Sequence, residues 1–353
     1  CQTTRNPHTR ARPTEVSRIN GKPVVSARGQ ADLSVLRASW KSEIWTVTPP
    51  AQSISLKSDG LLDAPHAKIP SMKVRPAILI TGCSSGIGLA VAKGLAARNW
   101  RVFATARHQQ DVDVLNAMGL ESLVLDLDDS ASVQAGATEV LVRVGGRLDA
   151  LFNNGGFGQV GAVEDLTRAA LREQFETNLF GWVELTKLVI PAMRAQGRGR
   201  LVFNSSVLGY AAFPFRGAYV AAKFALEGLA DTLRQELSGT GIHVSLVEPG
   251  PITSRFRENC LPHFEKHIDW RHSVHRASYE RQLERLRKPG PAVPFTLPPE
   301  AVLEKVIHAL ESDRPRARYP VTVPSVAFWW LKRLLSTRAM DWVLKKASGG
   351  GGR

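Results

Sequence analysis

A tyrosine and a lysine stand four residues apart in the apolar stretch GAYVAAKFALEG, residues 217–228. The stretch has the pattern of an amphipathic helix, in which side chains at i and i+4 share a face. A lysine ammonium beside a phenol favours the phenolate and lowers the phenol pKa from about 10 towards neutral pH, which suits a general acid and base. Tyr219 and Lys223 are therefore candidate catalytic residues, although a packed tyrosine and a lysine reaching solvent fit the same pattern.

Two further polar residues strengthen the catalytic interpretation. Ser206 ends the run RLVFNSS, which predicts a buried strand, and its hydroxyl could hold a carbonyl or alcohol oxygen. The carboxyl ends of parallel strands are where open α/β sheets bind ligands. Asn178 lies in an apolar helical stretch, where a buried amide needs partners. A backbone contact, a relay water or ordinary core packing would each supply them.

Short apolar runs alternate with helical patterns from residue 76 onwards. Strands are predicted at 77–81, 101–106, 122–127, 148–153, 200–206, 243–250 and 317–323, with helices at about 130–144, 168–196 and 299–312. Continuous apolar strands separated by helices indicate a parallel sheet covered on both faces. We expect an α/β fold: a doubly wound, Rossmann-type parallel sheet of about seven strands, flanked by helices, with a C-terminal helical extension.

The stretch TGCSSGIG, residues 81–88, lies between the first strand and a helix. It contains three glycines and two serines: Gly82, Gly86, Gly88, Ser84 and Ser85. Glycine lets the backbone approach a pyrophosphate, and a helix N-terminus offers unpaired N–H groups and a positive dipole. The serine hydroxyls add donors. The context therefore predicts a dinucleotide site rather than a plain tight turn.

The end of the second strand bears on the choice of dinucleotide. NAD is usually held there by an acidic residue on the ribose 2′-OH, whereas this strand ends ATAR and continues without a carboxylate. The Arg107 guanidinium suits a 2′-phosphate, and we therefore expect NADP(H) rather than NAD. The alternative is that Arg107 is an ordinary solvated arginine. Asp126, closing the third strand, could accept from the adenine amino group, cap the next helix, or do both.

In this order along the chain the motifs resemble the short-chain dehydrogenase/reductase family in its single-domain form. The resemblance rests on the glycine turn, NNGG at 153–156, Asn178, Ser206, the Tyr219–Lys223 pair and PGPITS at 249–254. It covers about 76–255 and extends more weakly to 323. The branch it resembles contains 17β-hydroxysteroid and retinol dehydrogenases and bacterial relatives that reduce aldehydes.

The resemblance implies roles for the four catalytic candidates. Tyr219 would be the proton donor and acceptor, and Ser206 would orient the substrate. Lys223 would bind the nicotinamide ribose and lower the tyrosine pKa. Asn178 would hold a water of the proton relay.

The resemblance also implies cofactor contacts beyond the glycine turn. Asn153 would lie on the adenosine-ribose side, Pro249 and Gly250 would flank the nicotinamide, and Ile252 with Thr253 or Ser254 would lie near the carboxamide. The expected cofactor set is completed by Ile87, Leu127, Arg107, Asp126, Tyr219 and Lys223.

One position departs from the family pattern. Gly155 stands where the family usually has alanine. Loss of that methyl group is expected to give the loop more freedom and to weaken cofactor ordering at most.

Together these residues predict an NADP(H)-dependent oxidoreductase that interconverts a carbonyl and its alcohol by hydride transfer. Apolar side chains expected at the mouth favour a lipophilic aldehyde or ketone, although core packing would explain any one of them: Phe157, Leu208, Tyr210, Phe213, Phe215 and Phe256. The alternative is a regulator that binds NADPH without chemistry, and the complete catalytic set argues against it.

Charge and cysteine content limit the partners and the compartment. The net charge of +14 lies at the two ends, because residues 72–250 carry 17 basic and 17 acidic side chains. Without a reading motif we expect no nucleic-acid partner. The three cysteines, Cys1, Cys83 and Cys260, argue against a disulfide framework and favour a reducing, cytoplasmic location.

Residues 1–71 lack a core-forming pattern, so a disordered extension or an upstream or transit sequence is expected there. The NADP-binding and catalytic domain is expected at 72–323, with a substrate lid at 256–298. Four histidines there could suggest a metal site: His263, His267, His272 and His275. Acidic and cysteine ligands are poorly spaced, however, so no metal is expected. C-terminal helices and a flexible tail are expected at 324–353.

The tryptophan-rich segment 325–346 has two interpretations. It could form an amphipathic helix on a membrane surface. It could instead form two helices, split near Ser336, that pack on the domain or on a partner subunit. Membrane contact and a homo-oligomer therefore both stay open.

Overall fold

The computed structural model describes residues 18–19, 22–23, 75–291 and 293–348. Within the expected extension at 1–71 the structure describes two short strands, Arg18–Ile19 and Lys22–Pro23, which pair antiparallel. The rest of the extension lies outside the described residues. The expected flexible tail lies outside them from residue 349 onwards.

Seven parallel strands form one sheet within residues 75–291 and 293–348: β1 Ala77–Ile80, β2 Arg101–Ala106, β3 Glu121–Val124, β4 Ala150–Asn153, β5 Gly199–Asn204, β6 Ile242–Glu248 and β7 Arg318–Pro320. Their order in the sheet is β3-β2-β1-β4-β5-β6-β7. The predicted Rossmann-type sheet is confirmed. The strand order reverses between β1 and β4, the position at which such sheets bind ligands.

Helices cover both faces of the sheet. They are α1 Gly86–Ala97, α2 Gln109–Ala117, α3 Ser130–Arg143, α4 Arg168–Phe175, α5 Gly181–Ala195, α6 Gly217–Glu236, α7 Phe256–His267, α8 Arg276–Arg287, α9 Glu300–Glu311, α10 Val323–Leu334 and α11 Thr337–Ala347. Apolar side chains of α3, α5 and α6 pack on one face, and those of α1, α2 and α9 pack on the other. Successive strand side chains point to opposite faces of the sheet, so Leu79 packs in one apolar layer and Ile80 in the other.

The long helix predicted at 168–196 is interrupted. Between α4 and α5 the turn Glu176–Phe180 has π-helical hydrogen bonding. Such a bulge inserts an extra residue into the turn and turns the side chains that follow. The apolar pattern does not reveal it, because helix continues on both sides.

The region 256–298, where a lid is expected, contains two helices that pack around one buried tyrosine. Tyr279 of α8 is fully buried and packs against Phe264 of α7. Its hydroxyl donates to the Asp165 carboxylate at 2.6 Å and accepts from the Ala162 N–H at 2.8 Å. These bonds join the lid helices to the chain that follows β4.

Two helices end the described chain, as the sequence predicts. Ser336 separates α10 from α11 and caps α11 by accepting from the Ala339 N–H. β7 is shorter than the predicted 317–323, because Thr322 already caps α10 through the Ser325 N–H.

Candidate active site

The turn between β1 and α1 has a backbone that requires glycine. Gly82 and Gly86 have φ values of +68° and +57°. A Cβ on Gly82 would lie 2.5 Å from the Gly155 Cα, and one on Gly88 would clash with the Gly82 carbonyl oxygen. The turn therefore packs directly against the loop after β4.

The N-terminus of α1 fits an anionic group. Ser85 is the N-cap in extended conformation and makes no side-chain capping bond. First-turn N–H groups have no intrahelical partner, so they can donate to a phosphate. Ser84 is exposed beside them, while Ile87 is half-buried against the apolar layer below. These features fit the expected pyrophosphate position.

Asn154 holds the glycine turn in place, a role that the sequence analysis missed. Its side-chain amide donates to the carbonyl oxygens of Thr81 at 2.9 Å and Gly82 at 3.1 Å. Its Oδ1 accepts from the Asn204 amide at 2.8 Å. The Asn154 and Gly155 N–H groups donate to the Thr81 hydroxyl at 2.8 and 2.9 Å. The signal was the second asparagine of NNGG, at the carboxyl end of a central strand.

Asn153, which was expected on the adenosine-ribose side, has a fully buried side chain. Its Nδ2 donates to the Thr186 hydroxyl of α5 at 3.0 Å. The side chain therefore contacts α5 and makes no hydrogen bond to the glycine turn in the described part of the chain.

Asn178 lies in the π-helical turn and holds the loop after β4. Its Nδ2 donates to the Phe157 carbonyl at 2.9 Å, and its Oδ1 accepts from the Phe157 N–H at 3.2 Å. Of the alternatives for a buried amide, the structure shows the backbone contact.

The expectation that Gly155 loosens this loop is wrong. Its N–H is held by the Thr81 hydroxyl, and its carbonyl accepts from the Trp182 indole at 2.8 Å. A Cβ there would lie 3.0 Å from the Leu127 side chain and 3.2 Å from the Gly82 nitrogen. The two glycines pack too closely for the loop to move freely, and buried Leu127 closes the third side.

Lys223 has a buried ammonium group. Its Nζ donates to the Asn204 carbonyl at 2.7 Å and lies 4.2 Å from the centre of the Trp182 ring. Burial lowers the pKa of Lys223 to about 7, although the Glu227 carboxylate one turn along α6 acts to raise it. The charge on this lysine is therefore sensitive to its neighbours at neutral pH.

Tyr219 lies beside Ser206 and against α7. Its side chain is buried, and its ring meets that of Phe256 on α7 edge-on, with centres 5.6 Å apart. Burial raises the pKa of Tyr219, and a hydrogen bond with the Ser206 hydroxyl opposes that rise.

The expectation that Lys223 lowers the phenol pKa does not hold in this structure. The ammonium lies 5.5 Å from the centre of the tyrosine ring and donates to Asn204 instead. Burial outweighs the opposing hydrogen bond, so Tyr219 stays protonated at neutral pH. In this state it is a proton donor.

Ser206 lies where the ends of β5 and β6 meet. Its Oγ accepts from the Leu208 N–H at 3.1 Å, which begins a short 3₁₀ turn. Next to it, the Val207 N–H donates to the Pro249 carbonyl at 2.8 Å. A Cβ on Gly250 would clash with the Thr322 hydroxyl, so the chain passes close to the start of α10 here.

The segment that continues to Ser254 reaches the glycine turn. The Thr253 N–H donates to the Leu297 carbonyl at 2.9 Å, and Ile252 bridges to the same residue. A Cβ on Gly86 would lie 2.9 Å from the Ser254 Cβ. Of the two hydroxyl residues left open by the sequence, Ser254 is the one against the turn.

The two residues expected at the adenosine end follow β2 and β3. Arg107 is exposed just after β2. Asp126 accepts from the Asp128 N–H at 3.1 Å, which forms a local turn. The alternative that Asp126 caps the next helix is wrong, because Asp129 caps α3.

A partly buried ion-pair network joins α6 to the sheet. Arg318 of β7 donates to Glu248 at 2.7 Å and to Asp231 at 2.6 Å, and it also contacts Glu227. Burial raises the pKa of Glu248 to about 7. The network joins β6, β7 and α6 and places Glu227 near Lys223. The sequence analysis missed it, because its members are distant along the chain.

The apolar residues expected at the mouth fall into three groups. Phe256 packs on Tyr219, and Phe157 stacks on His263 with ring centres 3.6 Å apart. Phe215 joins the lid cluster around Tyr279. The others, Leu208, Tyr210 and Phe213, pack against the C-terminal helices.

The lid histidines contact carboxylates. His263 and His267 of α7 both bind Glu173 of α4, at 2.7 and 2.6 Å. His272 contacts Asp269, and His275 contacts Glu164. In the described ranges no group of three or more ligand side chains is arranged to hold a metal ion.

Comparisons with known proteins agree with this arrangement. A family model described as short chain dehydrogenase matches residues 76–263. An uncharacterized oxidoreductase of Escherichia coli strain K12, YbbO, is 43% identical over 272 residues, which is 77% of this chain and 95% of that protein. Human 17-beta-hydroxysteroid dehydrogenase type 1 is 35% identical over 266 residues, 70% of this chain and 78% of that protein.

A solved structure is also similar. A short-chain dehydrogenase from Streptomyces avermitilis has a TM-score of 0.61 and 31% identity, covering 80% of this chain and all of that one.

Substitution of Gly88 by alanine tests the glycine turn. We expect Gly88→Ala to weaken dinucleotide binding at least tenfold, because its Cβ would clash with the Gly82 carbonyl and approach the Asn154 amide to 2.7 Å. Fluorescence titration with NADPH measures it. Gly228→Ala is the control, since a Cβ there meets nothing within 4 Å. Equal affinity in both variants would contradict the proposed turn.

The raised phenol pKa predicts a spectroscopic result. In the protein without cofactor, the Tyr219 phenolate should form only above about pH 10, because burial favours the neutral form. The measurement is the difference in tyrosinate absorbance between the wild type and Tyr219→Phe during an alkaline titration. A difference that develops near pH 7 would show that the ammonium of Lys223, rather than burial, controls the phenol.

Proposed function

The chain belongs to the short-chain dehydrogenase family and is an oxidoreductase, and we propose that it interconverts a lipophilic carbonyl compound and its alcohol with NADP(H). The observation that carries the proposal is the placement of a protonated phenol, Tyr219, against the Ser206 hydroxyl. One turn along α6, the buried Lys223 ammonium donates to the Asn204 carbonyl at the end of β5. The Asn204 side chain donates in turn to Asn154, which holds the glycine turn.

The cofactor would supply the hydride. The residues that would hold it are the glycine turn, Arg107 and Asp126 at the adenosine end, and the 249–254 segment at the nicotinamide end. The Asn154 bonds support the placement of the glycine turn, because they tie it to Asn204 at the end of β5.

The proton follows a short path in this proposal. The Ser206 hydroxyl holds the substrate oxygen, and Tyr219 gives its proton to that oxygen as negative charge develops on it. The Ser206 hydroxyl, whose hydrogen bond already opposes the rise in the Tyr219 pKa, stabilises the phenolate that is left. Because burial keeps the phenol protonated at neutral pH, the free site is prepared for reduction of a carbonyl.

Two features support the lipophilic substrate. Phe256 packs its ring on Tyr219, and Phe157, in the loop after β4, stacks on His263 of α7. A relative that matches most of this chain is named as a hydroxysteroid dehydrogenase. An aldehyde or ketone on an apolar skeleton fits such surroundings.

The choice of NADP(H) rests on Arg107. The side chain is exposed at the end of β2, and the sequence offers no carboxylate there for a ribose 2′-OH. We also propose a cytoplasmic location, which the two buried free thiols, Cys83 and Cys260, support.

Tyr219→Phe tests the chemistry. Removing the hydroxyl should lower kcat about 10²- to 10⁴-fold while leaving NADPH affinity nearly unchanged, since the proton donor is lost and the ring is kept. The assay follows NADPH oxidation with a panel of aldehydes, ketosteroids and retinal. Tyr319→Phe, on β7, is the matched control and should keep its turnover. Wild-type turnover in Tyr219→Phe would exclude the proposed role.

Arg107→Leu tests the cofactor choice. Loss of a charged hydrogen bond to the 2′-phosphate should weaken NADPH binding roughly 10- to 100-fold and leave NADH binding unchanged. Calorimetry with both nucleotides measures it. Arg147→Leu, an exposed arginine ahead of the amino end of β4, should affect neither nucleotide. Equal loss for NADPH and NADH would refute the assignment.

A further inference from the structure

The helices α10 and α11 pack on the domain through one face only. Met340 and Leu344 are buried in a cluster with Val207 and Ala211, the residues that follow Ser206. Phe328 of α10 belongs to the same cluster. One side of this helix pair is thus anchored next to the candidate active site.

The opposite side carries large apolar groups in solvent. On α10, Val326, Trp330 and Leu334 recur every four residues and so form one stripe. Trp330 is 55% exposed and Leu334 is 74% exposed. On α11, Trp342 is 64% exposed and lies roughly 200° around the helix from the buried Met340. We call these four residues, Val326, Trp330, Leu334 and Trp342, the outer ridge.

Cations accompany the outer ridge. Residues 323–348 contain five basic side chains, Lys332, Arg333, Arg338, Lys345 and Lys346, against the single acid Asp341. The Lys346 Nζ lies 5.2 Å from the centre of the Trp342 ring, so cation and aromatic group stand together. Exposed tryptophan and aliphatic side chains with neighbouring cations are the composition that binds at the interface of an anionic bilayer.

The positive charge of this surface favours an anionic membrane over a second copy of the chain as its partner. In a symmetric dimer the same surface would meet itself, which would bring the five cations of one copy against those of the other. Like charges placed together oppose such an interface. An anionic lipid surface complements the same charges.

The helices have the dimensions of a surface contact. α10 has 12 residues and α11 has 11. None of the helices in the described ranges combines the length and the apolar character needed to cross a bilayer. A pair of short amphipathic helices instead lies along the interface.

We propose that α10 and α11 dock this protein on the surface of an anionic lipid bilayer, with the outer ridge in the headgroup boundary and the five cations on the lipid phosphates. The buried side of the pair contacts the residues after Ser206, so the docked membrane lies near the candidate site. The docking proposal does not depend on the proposed function. The idea that a lipophilic substrate reaches the site from the bilayer does depend on it.

Vesicle flotation of the full chain tests the docking. The vesicles are phosphatidylcholine alone, or phosphatidylcholine mixed with phosphatidylglycerol. We expect binding to the mixed vesicles, at least tenfold weaker binding to the neutral ones, and loss of binding at high salt, because the cations supply the electrostatic part. Equal binding to both vesicles, or none to either, would overturn the proposal.

Two variants locate the surface. Trp330→Ser with Trp342→Ser should abolish flotation, and Lys345→Ser with Lys346→Ser should weaken it roughly 25-fold, at about fivefold per cation. The controls are the exposed pairs Val142→Ser with Val274→Ser and Arg168→Ser with Arg172→Ser, which should float as wild type. Thermal melting checks folding, and the exposed lysine pair tests docking even if the tryptophan variant unfolds.

The outcomes separate the proposals. Unchanged flotation in both variants of the helix pair overturns the docking surface. Unchanged flotation accompanied by a lower molecular mass in light scattering assigns the outer ridge to contacts between copies. The proposed function is untouched by either result, because flotation requires no turnover.

Discussion

The hydrogen bond from the Lys223 ammonium to the Asn204 carbonyl is the constraint on which the site depends. A buried charge is costly unless it is paired or hydrogen-bonded, and this one is held at 2.7 Å with the Trp182 ring beside it. The side chain of Asn204 donates in turn to Asn154, which holds the carbonyls of the glycine turn. A continuous set of hydrogen bonds thus connects the glycine turn to α6 across the ends of β1, β4 and β5.

Burial shifts the pKa values of Tyr219 and Lys223 in opposite directions. It raises the pKa of Tyr219 and lowers that of Lys223, because each change favours the neutral form of the group. The phenol therefore retains its proton, while the lysine is near its titration point at neutral pH. The Glu227 carboxylate, itself held by Arg318, favours the charged lysine. The ion-pair network of Arg318 therefore acts on the charge of Lys223 through Glu227.

The sequence predicted the seven-stranded sheet because buried parallel strands are continuous apolar runs, and each of the seven was found within a few residues of its predicted position. It predicted that the glycine turn and Ser206 would lie at the carboxyl ends of strands, where open α/β sheets bind ligands. It could not predict which side chain meets which. The clamp by Asn154, the capping of α3 by Asp129 and the contacts of Arg318 each depend on neighbours that are distant in sequence. The sign of the tyrosine pKa shift was missed because burial under α7 is a tertiary property.

The most direct test is an NMR titration of the lysine side chains in the protein without cofactor. Lys223 should titrate near pH 7, well below the reference value of about 10.4 for a solvated lysine, and its signal should be absent in Lys223→Arg. A Lys223 signal that titrates near about 10.4 would contradict the account, because the ammonium would then be solvated rather than held at the end of β5.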